Sequence, residues 1–385
     1  MLDEHPRIGS LEILRVLEVF ARLRLRRHDV GLGGCRRHGG ARDRRRPGRR
    51  PSDRWRIRHC ERRSYRSSLT FATRGLFDVD PYLGTPVRWP EMGSSRAFCI
   101  SRDPSIRAQV ETALAATGLI VEHFDALPPA TDGAALLVVD RTSRELAGVA
   151  LTEVPIPVVV VGDDLDDDAL ITLMIEAPVS HVVSDPASRE LRITSEKLVS
   201  GDLFGLEKYL ATPARTFERA VSNDAGKKTA IAEVSAWAES VGARKPVIHR
   251  IASVVDELLM NALIDAPRES QPIIALGTTA PPIHRALLRW ASDGHQIAIS
   301  VDDRFGALRQ RDVIDHVRRA RHDHGRPNPD DPGAGLGLYL VLANVASFIV
   351  NVDPGNRTEV VCLFDLARRG PAVRTRARSL HVFSS

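Results

Sequence analysis

The stretch VVDELLMNAL, from Val254 to Leu263, decides the fold of the region around it. It places the carboxylate of Glu257 and the carboxamide of Asn261 four residues apart inside an apolar run. On a helix this spacing puts both side chains on one face, one turn apart. A carboxylate can hold or deprotonate a nucleophile, and an amide oxygen is a hard ligand for Mg²⁺. The pattern therefore indicates either a solvated polar stripe or the metal-binding edge of a site.

A second stretch, DPGAGLGL from Asp331 to Leu338, is a glycine-rich turn that opens another apolar run. Its backbone N–H groups, and the start of a helix predicted over Leu338–Ala346, favour anionic phosphate. Together the two stretches predict a nucleotide site.

A strand predicted over Gln296–Val301 lies between these stretches and runs into a pair of carboxylates. A carboxylate at a strand end, before a glycine turn, can accept a hydrogen bond from the amino group of adenine. Counting back from Gly306 selects Asp302, whereas counting from the strand selects Asp303. Both residues are candidates, and we prefer Asp303.

The remaining segments of this region complete an α/β pattern. The polar stretch Ala307–Pro332 suits a mobile lid over a site. Two closing strands are predicted over Phe348–Val352 and Glu359–Phe364, with Thr358 directly before the second. Strands and helices in this order predict a domain over residues 229–367.

These motifs, in this order, resemble the ATPase domain that gyrase, a class of heat-shock chaperones, histidine kinases and mismatch-repair ATPases share, the GHKL or Bergerat fold. The resemblance covers residues 229–367, about a third of the chain. The family's asparagine box matches Glu257 and Asn261, and Thr358 resembles the threonine near adenine that ends the pattern. The first glycine box matches only in part, because its middle glycine is absent. The matched glycine-box residues are Asp303 and Gly306 in the first box and Gly333, Gly335, Leu336 and Gly337 in the second.

The resemblance implies an α/β sandwich that binds ATP and Mg²⁺. It implies that Glu257 orders or deprotonates the attacking group, that Asn261 ligates Mg²⁺ and that Asp303 contacts adenine. The second glycine box would wrap the phosphates. A domain that keeps the fold but has lost ATP binding is an alternative, because the first glycine box is incomplete.

The segment before this domain helps to decide which members of the GHKL family the chain resembles. Residues 203–245 contain no histidine, so the phosphoacceptor hairpin of a sensor histidine kinase is not predicted. A short helix predicted over Ala230–Ser240 and a compact ATPase domain are similar to the anti-sigma-factor serine kinases of bacteria. Such kinases use ATP to phosphorylate a serine or threonine of an antagonist, bind a sigma factor in alternation, and often form homodimers.

We therefore expect a cytoplasmic signalling protein that transfers phosphate from Mg-ATP to a serine or threonine of a partner protein. The partner would be a sigma factor, an antagonist or another signalling protein, in a partner-switching pathway. One alternative is a non-catalytic interaction module that ATP switches. The other is a protein related to histidine kinases.

Residues 92–202 show short apolar runs that alternate with helical patterns, which predicts a doubly wound parallel sheet. Five such units resemble the receiver domain of response regulators. Asp140 stands where a receiver carries its phosphoacceptor, but only Asp103 remains of the acidic pair, and no lysine ends the fifth strand. Either Asp140 accepts phosphate, or the domain is a pseudo-receiver for dimerisation or docking. The predicted strands are Ala97–Ser101, Leu119–Phe124, Ala135–Asp140, Pro157–Gly162 and His181–Ser184.

Residues 1–91 differ in composition from the rest of the chain. Residues 1–90 contain 22 arginines, no lysine and 10 acidic residues, a formal charge of +12, whereas residues 91–385 carry −7. Such a segment buries little and is predicted to be disordered. It could bind nucleic acid or anionic membrane by charge, form a basic amphipathic helix over residues 11–27, or precede the true start at Met92. We favour a mis-called start or a functionless tail, and expect no nucleic-acid or membrane partner.

Two further segments are predicted to lie outside the domains. Residues 203–228 would connect them, with a helix over Leu203–Leu210, and residues 368–385 would form a flexible basic tail. Four cysteines without metal-ligand spacing indicate reduced thiols in the cytosol. No apolar run reaches the length that spans a membrane. The predicted fold class is α/β, with a doubly wound parallel sheet followed by an α/β-sandwich domain.

Overall fold

The computed structural model describes residues 96–385, apart from residues 132, 144–150, 152–153, 163–164, 166, 177–178, 212–214, 268–284, 323–335 and 367–378. The arginine-rich segment 1–91 lies outside the described residues, so its three interpretations stay predictions. The same holds for Gly333 and Gly335 of the predicted glycine box.

One mixed sheet of eleven strands organises the described residues. The strands are β1 (Arg96–Ile100), β2 (Ile120–Phe124), β3 (Leu136–Asp140), β4 (Val158–Val161), β5 (His181–Val183), β6 (Phe217–Val221), β7 (Ala286–Ser292), β8 (Gln296–Asp303), β9 (Ser347–Asp353), β10 (Arg357–Asp365) and β11 (Ser379–Ser384). Their order in the sheet is β2-β1-β3-β4-β5-β11-β9-β10-β8-β7-β6. The helices are α1 (Pro104–Ala115), α2 (Asp167–Glu176), α3 (Arg189–Ser200), α4 (Asp224–Ser240), α5 (Lys245–Met260), α6 (Gln310–His322) and α7 (Leu336–Leu342), with a 3₁₀ turn at Leu206–Tyr209 and a π turn at Asn261–Asp265.

Helices cover both faces of this sheet. Helices α2, α4, α5, α6 and α7 contribute to the core on one face, which we call the α5 face. Helices α1 and α3 and the 3₁₀ turn contribute to the core on the other, which we call the α3 face. Successive strand residues alternate between the two faces. In β8, for example, Ile299 and Val301 pack on the α5 face and Ala298 packs on the α3 face.

The first half of the sheet comprises β1 to β5, which pair in parallel throughout. Its strand order, 2-1-3-4-5, is one of the two common doubly wound arrangements. All five residues of β3 are buried, because helices cover both faces of a parallel sheet. The α/β class that the sequence predicted is confirmed.

The second half of the sheet comprises β6 to β10, which pair antiparallel. Strand β10 lies between β8 and β9 and is in register with both. Across the β8–β10 pair, Thr358 lies opposite Asp303 and Glu359 lies opposite Asp302. This register brings two of the predicted adenine contacts, Asp303 and Thr358, side by side.

The prediction of a flexible tail is wrong for Ser379–Ser384, which form β11 in the middle of the sheet. β11 runs parallel to β9 and antiparallel to β5, where His381 lies opposite His181. Its first five residues are buried. Composition misled the prediction, because the arginine-rich residues 368–378 precede a strand of only six residues.

The predicted connector 203–228 is also part of the fold. Leu206–Tyr209 forms a short 3₁₀ turn that packs on the α3 face, where the sequence predicted a helix over Leu203–Leu210. Phe217–Val221 forms β6, an edge strand that pairs with β7. Its polar residues hid it, because an antiparallel edge strand leaves one face in water. The two predicted domains therefore share one continuous sheet.

The predicted lid Ala307–Pro332 is described only as far as His322. Within it, Gln310–His322 forms α6, and Val313 and Ile314 anchor this helix in the core of the α5 face. Part of the predicted lid is therefore a packed helix. Throughout the described part of the chain, no helix combines the length and the apolarity that crossing a membrane requires.

Candidate nucleotide-binding site

The helix that carries Glu257 is α5, which has Pro246 in its first turn. Proline suits that position, because its fixed φ matches a helix and its missing N–H would have no partner there. The side chains that α5 buries against the sheet are Ile251, Val254, Val255, Leu258 and Leu259. Glu257 and Asn261 are partly buried, so both are held by the fold yet open on one side.

At Asn261 the α-helix gives way to the π turn Asn261–Asp265. The Asn261 N–H still donates to the carbonyl of Glu257, and the Ala266 N–H then donates to the carbonyl of Asn261. Single π turns are rare in proteins and occur often at functional sites. The widened turn therefore begins at the residue that the sequence predicts to bind Mg²⁺.

Glu257 lies against the backbone of Gly337 in the first turn of α7. A β-carbon at Gly337 would collide with Glu257 Oε1 and would lie 2.7 Å from its Cδ. Non-bonded contacts to a real β-carbon are not that short, so only glycine permits this approach. The structure thus brings together the predicted catalytic carboxylate and the last glycine of the predicted phosphate-binding turn.

Asp303 and Thr358 form the second part of the site, at the paired ends of β8 and β10. By strand alternation both side chains lie on the α5 face, as do Val301 and Val360. Asp303 is 7% exposed and Thr358 is 2% exposed. The N–H of Phe305 donates to Asp303 Oδ1 at 2.9 Å. Among the described residues, Thr358 Oγ1 has no hydrogen-bond partner.

The carboxyl group of Asp303 is easier to protonate than an ordinary aspartate. Burial raises its pKa from the usual 3.8 to about 6, and the negative charge of Asp302 acts in the same direction. The N–H groups of Phe305 and Gly306 oppose this effect, as does the nearby Thr358 hydroxyl. Asp303 is therefore ionised above about pH 6. Asp303 and Thr358 together offer a buried acceptor and a hydroxyl to a ligand.

Asp302, the other candidate for adenine contact, lies on the α3 face. Arg357 Nε donates to Asp302 Oδ2 at 2.7 Å, and the Arg357 Nη2 group also contacts this oxygen. Arg289 Nη2 lies 3.4 Å from the same oxygen. These ion pairs turn Asp302 away from α5, whereas Asp303 lies on the face where Glu257 is found.

Gly306 has a structural role of its own. Its φ of +58° lies in the left-handed region that favours glycine. A β-carbon there would collide with the carbonyl of Asp353 and lie 2.6 Å from the nitrogen of Gly355. The Gly355 N–H donates to the Gly306 carbonyl at 3.2 Å. Gly306 therefore packs the exit of β8 against the β9–β10 turn.

The second glycine box is described from Leu336 onward. α7 begins at Leu336 and ends at Leu342, whereas the sequence predicted a helix over Leu338–Ala346. Asn344 accounts for the early end, because its Nδ2 donates to the Leu340 carbonyl at 2.6 Å and replaces a helical N–H. Leu338 and Val341 hold α7 in the same core as α5.

The residues around Glu257 fit a Mg²⁺ ion that arrives with a nucleotide. Within the described residues, no group of three or more His, Cys, Asp or Glu side chains could hold a metal ion. Mg²⁺ commonly keeps several waters and takes one or two protein ligands together with substrate phosphates. The Asn261 amide, one turn from the Glu257 carboxylate, supplies oxygen ligands of that kind.

No protein-family model matches this chain, and a search of curated proteins also finds no match. The assignment of a site therefore rests on the geometry of the residues themselves. The resemblance to the GHKL fold remains a proposal.

The first half of the sheet holds the second predicted site, at Asp140. This carboxylate is 3% exposed and accepts hydrogen bonds from Ser101 Oγ at 2.7 Å and from the Thr142 N–H at 2.9 Å. Asp103 serves as the N-cap of α1, where its Oδ1 accepts from the Ser105 N–H at 2.7 Å. Both acidic residues are therefore engaged in local structure.

Sequence reasoning missed a buried polar cluster on the α3 face. Glu359 is fully buried in β10, and its Oε2 accepts from Asn351 Nδ2 at 3.0 Å and from the Gly205 N–H at 2.9 Å. Asn351 Oδ1 accepts from Lys197 Nζ at 2.6 Å, which also donates to Tyr209 OH at 2.8 Å. The signal available in the sequence was Glu359 itself, a charge directly before the apolar run 360–364.

Proposed function

We propose that residues 229–367 bind Mg-ATP, and that the protein transfers the γ-phosphate to a serine or threonine of a partner protein in a partner-switching pathway. The observation that carries the proposal is the approach of Glu257 to Gly337, on the same face of the sheet as the Asp303–Thr358 pair. A catalytic carboxylate, a glycine turn and a strand-end acceptor are the parts that such a site requires.

In this proposal each residue has one task. Asp303 accepts a hydrogen bond from the adenine amino group, and the buried Thr358 hydroxyl contacts the base beside it. Asn261 binds the Mg²⁺ that accompanies the phosphates. The glycine turn that ends at Gly337 lies along the phosphates, where backbone N–H groups favour negative charge.

Glu257 acts on the attacking group. The hydroxyl oxygen of the partner forms a bond to the γ-phosphorus while the bond to the β–γ bridging oxygen breaks and ADP leaves. Glu257 takes the hydroxyl proton, since it is the carboxylate against the phosphate-binding turn.

We also propose that the first half of the sheet is a pseudo-receiver that serves docking or dimerisation. Its parallel 2-1-3-4-5 order supports the receiver-like part of this proposal. The closed surroundings of Asp140 support the loss of phosphate acceptance, because Ser101 and Thr142 already occupy its oxygens.

A calorimetric titration of the full chain with Mg-ATP tests the proposal. We expect binding by the parent and at least tenfold weaker binding by Asn261→Ala, the loss of one ligand contact to a charged group. Equal binding by the variant, or none by the parent, contradicts the nucleotide site.

Labelled γ-phosphate then separates the three functional alternatives. Acid-stable label on a co-purified partner supports the serine or threonine kinase. Binding without any transfer favours an ATP-switched interaction module. Acid-labile label on the chain itself favours a relation to histidine kinases.

Gly337→Ala tests whether the close approach of Glu257 to Gly337 matters for catalysis. The new methyl group would displace the Glu257 carboxylate, so we expect phosphate transfer or ATP hydrolysis to fall by about 10- to 100-fold, as for other misplaced catalytic groups. Gly226→Ala is the matched control, since Gly226 also lies in the first turn of a helix, with 3.3 Å left to Asn223 Oδ1. Equal turnover by the two variants would contradict the role of Glu257.

A further inference from the structure

A charged cluster lies on the α3 face, directly behind the Asp303–Thr358 pair. Strand alternation is the reason. Asp302 precedes Asp303 on β8 and Glu359 follows Thr358 on β10, so Asp302 and Glu359 lie opposite each other on the other face of the sheet. The groups that reach them are Arg289 on β7, Asn351 on β9, Arg357 at the start of β10 and the Gly205 N–H after α3. Lys197 of α3 donates in turn to Asn351.

Arg357 is the arginine of this cluster that lies next to a predicted nucleotide contact in the chain. It directly precedes Thr358, and it holds Asp302 through both Nε, at 2.7 Å, and Nη2. Its guanidinium lies over the ring of Phe204, 4.2 Å from the centroid. A planar guanidinium can pair with a carboxylate and stack on an aromatic ring at once, which an ammonium cannot. Arg357 is nevertheless 35% exposed, so its replacement need not disturb the core.

The charge of Asp302 matters for Asp303. The two carboxylates are adjacent in the chain, and the negative charge of Asp302 makes Asp303 easier to protonate. Arg357 and Arg289 offset that charge from behind. Charged or titratable groups stand on every element packed around Asp303: Asp302 and Arg304 on its own strand and loop, Arg289 on β7, Arg357, Glu359 and Asp365 on β10, Lys245, His249, Arg250, Asp256 and Glu257 on α5, and Asp265 on its π turn.

We propose that Arg357 is a positioning residue for this site: by pairing with Asp302 behind the sheet, it keeps Asp303 ionised and in register with Thr358, and so sets the preference for adenine. The preference for adenine rests on the proposed function. The effect on the ionisation of Asp303 does not, because it rests on the pairing of Arg357 with the adjacent Asp302.

The effect on ionisation is measurable without nucleotide. Carboxyl ¹³C NMR of the full chain gives the titration midpoint of Asp303, with Asp303→Asn to assign its signal. We expect a midpoint near pH 6 in the parent and a rise of about one pH unit in Arg357→Gln. Asp302 would then keep only the 3.4 Å contact with Arg289, and a carboxylate charge that is less neutralised shifts a neighbouring pKa by an amount of that order.

Arg219→Gln is the matched control for this titration. Arg219 pairs with the single carboxylate of Glu233 and is 36% exposed, but it lies on β6 at the far edge of the sheet. We expect no change in the Asp303 midpoint for this variant. An unchanged midpoint in Arg357→Gln overturns the proposal, whether or not the protein binds nucleotide.

Nucleotide affinity tests the proposed effect of Arg357 on the preference for adenine. From the ionised fractions at midpoints of about 6 and 7, Arg357→Gln should bind ATP roughly fivefold more weakly than the parent at pH 6 and almost equally at pH 8. Arg357→Lys should restore part of the loss, because it keeps the charge but not the two-point contact. The affinity for GTP should change little, because GTP lacks the amino group from which Asp303 would accept a hydrogen bond.

Two outcomes separate the proposals. A loss that is equal at both pH values and for both nucleotides means that Arg357 only supports the fold, and it contradicts the positioning role. A parent that binds no nucleotide, together with a shifted Asp303 midpoint in Arg357→Gln, contradicts the proposed function and supports the control of Asp303 by Arg357.

Discussion

Asp140 and Asp303 both stand at the end of a buried strand, one in each half of the sheet, yet their surroundings differ. Asp140 lies on the α3 face, and its two oxygens accept from Ser101 Oγ and the Thr142 N–H. Asp303 lies on the α5 face, accepts from the Phe305 N–H, and neighbours a Thr358 hydroxyl without a partner among the described residues. A strand-end aspartate is therefore not a site by position alone. What distinguishes Asp303 is its place on the α5 face, where Glu257 is found, beside the buried Thr358 hydroxyl.

The largest effect should follow from Asp303→Asn. An amide keeps the shape but cannot replace the ionised acceptor, so we expect Mg-ATP affinity to fall by about 10- to 100-fold, the value of a hydrogen bond to a charged group. Calorimetry at pH 8 measures this change. Unaltered affinity would remove Asp303 from the site and abolish the contrast with Asp140.

Asp303→Asn should also change the free energy of unfolding, in a way that depends on pH. The folded protein holds the Asp303 proton up to about pH 6, whereas the unfolded chain releases it near the usual 3.8. Asp303 therefore lowers the free energy of unfolding as pH rises from about 4 to 6, and the loss persists above pH 6. Asp303→Asn should thus be more stable than the parent at pH 8, by at most about 3 kcal/mol, and equal to it below pH 4. Urea unfolding at both pH values checks this.

Asp140→Ala should show the reverse pattern. It leaves the buried Ser101 hydroxyl and the Thr142 N–H without their acceptor, which costs about 1–3 kcal/mol of unfolding free energy. Mg-ATP affinity should stay within about twofold of the parent, since Asp140 lies on the other face and in the other half of the sheet. Loss of ATP binding in this variant, or ready phosphorylation of Asp140 in the parent, would break the comparison.

The smallest effect should follow from Thr358→Val. The Thr358 hydroxyl is buried and makes no hydrogen bond among the described residues, and its only noted effect is to favour ionised Asp303, so its removal should change stability little. ATP affinity should fall by about 2- to 10-fold, the value of one neutral hydrogen bond. Thr194→Val is the matched control, because Thr194 on α3 is also fully buried and its hydroxyl also has no partner in the part of the chain that the structure describes. If both variants bind ATP like the parent, Thr358 contacts no ligand.

Local patterns predicted much of the first half of the sheet and the helix of Glu257. The five strands predicted from apolar runs agree with β1 to β5 to within a residue at each end. For the inner strands β1, β3, β4 and β5 the reason is that a strand covered on both faces reads as a continuous apolar run. The buried face of α5 followed from its helical period. Both patterns lie within a few residues of sequence.

Features that depend on distant residues could not be predicted in this way. Lys197 meets Asn351, and Gly205 meets Glu359, across 154 positions of sequence, and no local pattern reports such pairs. Composition concealed β11 because it follows an arginine-rich segment. In the candidate site, the motifs placed Glu257 and Asp303, but the contact with Gly337 and the assignment of Asp302 to the other face required the sheet register.

The position of β11 has a consequence for how the protein is made. Ser379–Ser384 fill the place between β5 and β9, so the two halves of the sheet cannot be joined until these residues have left the ribosome. Until then, β5 and β9 each expose an edge that a neighbouring chain could pair with. We expect the nascent protein to depend on chaperones late in synthesis, and to aggregate when translation stalls shortly before residue 379.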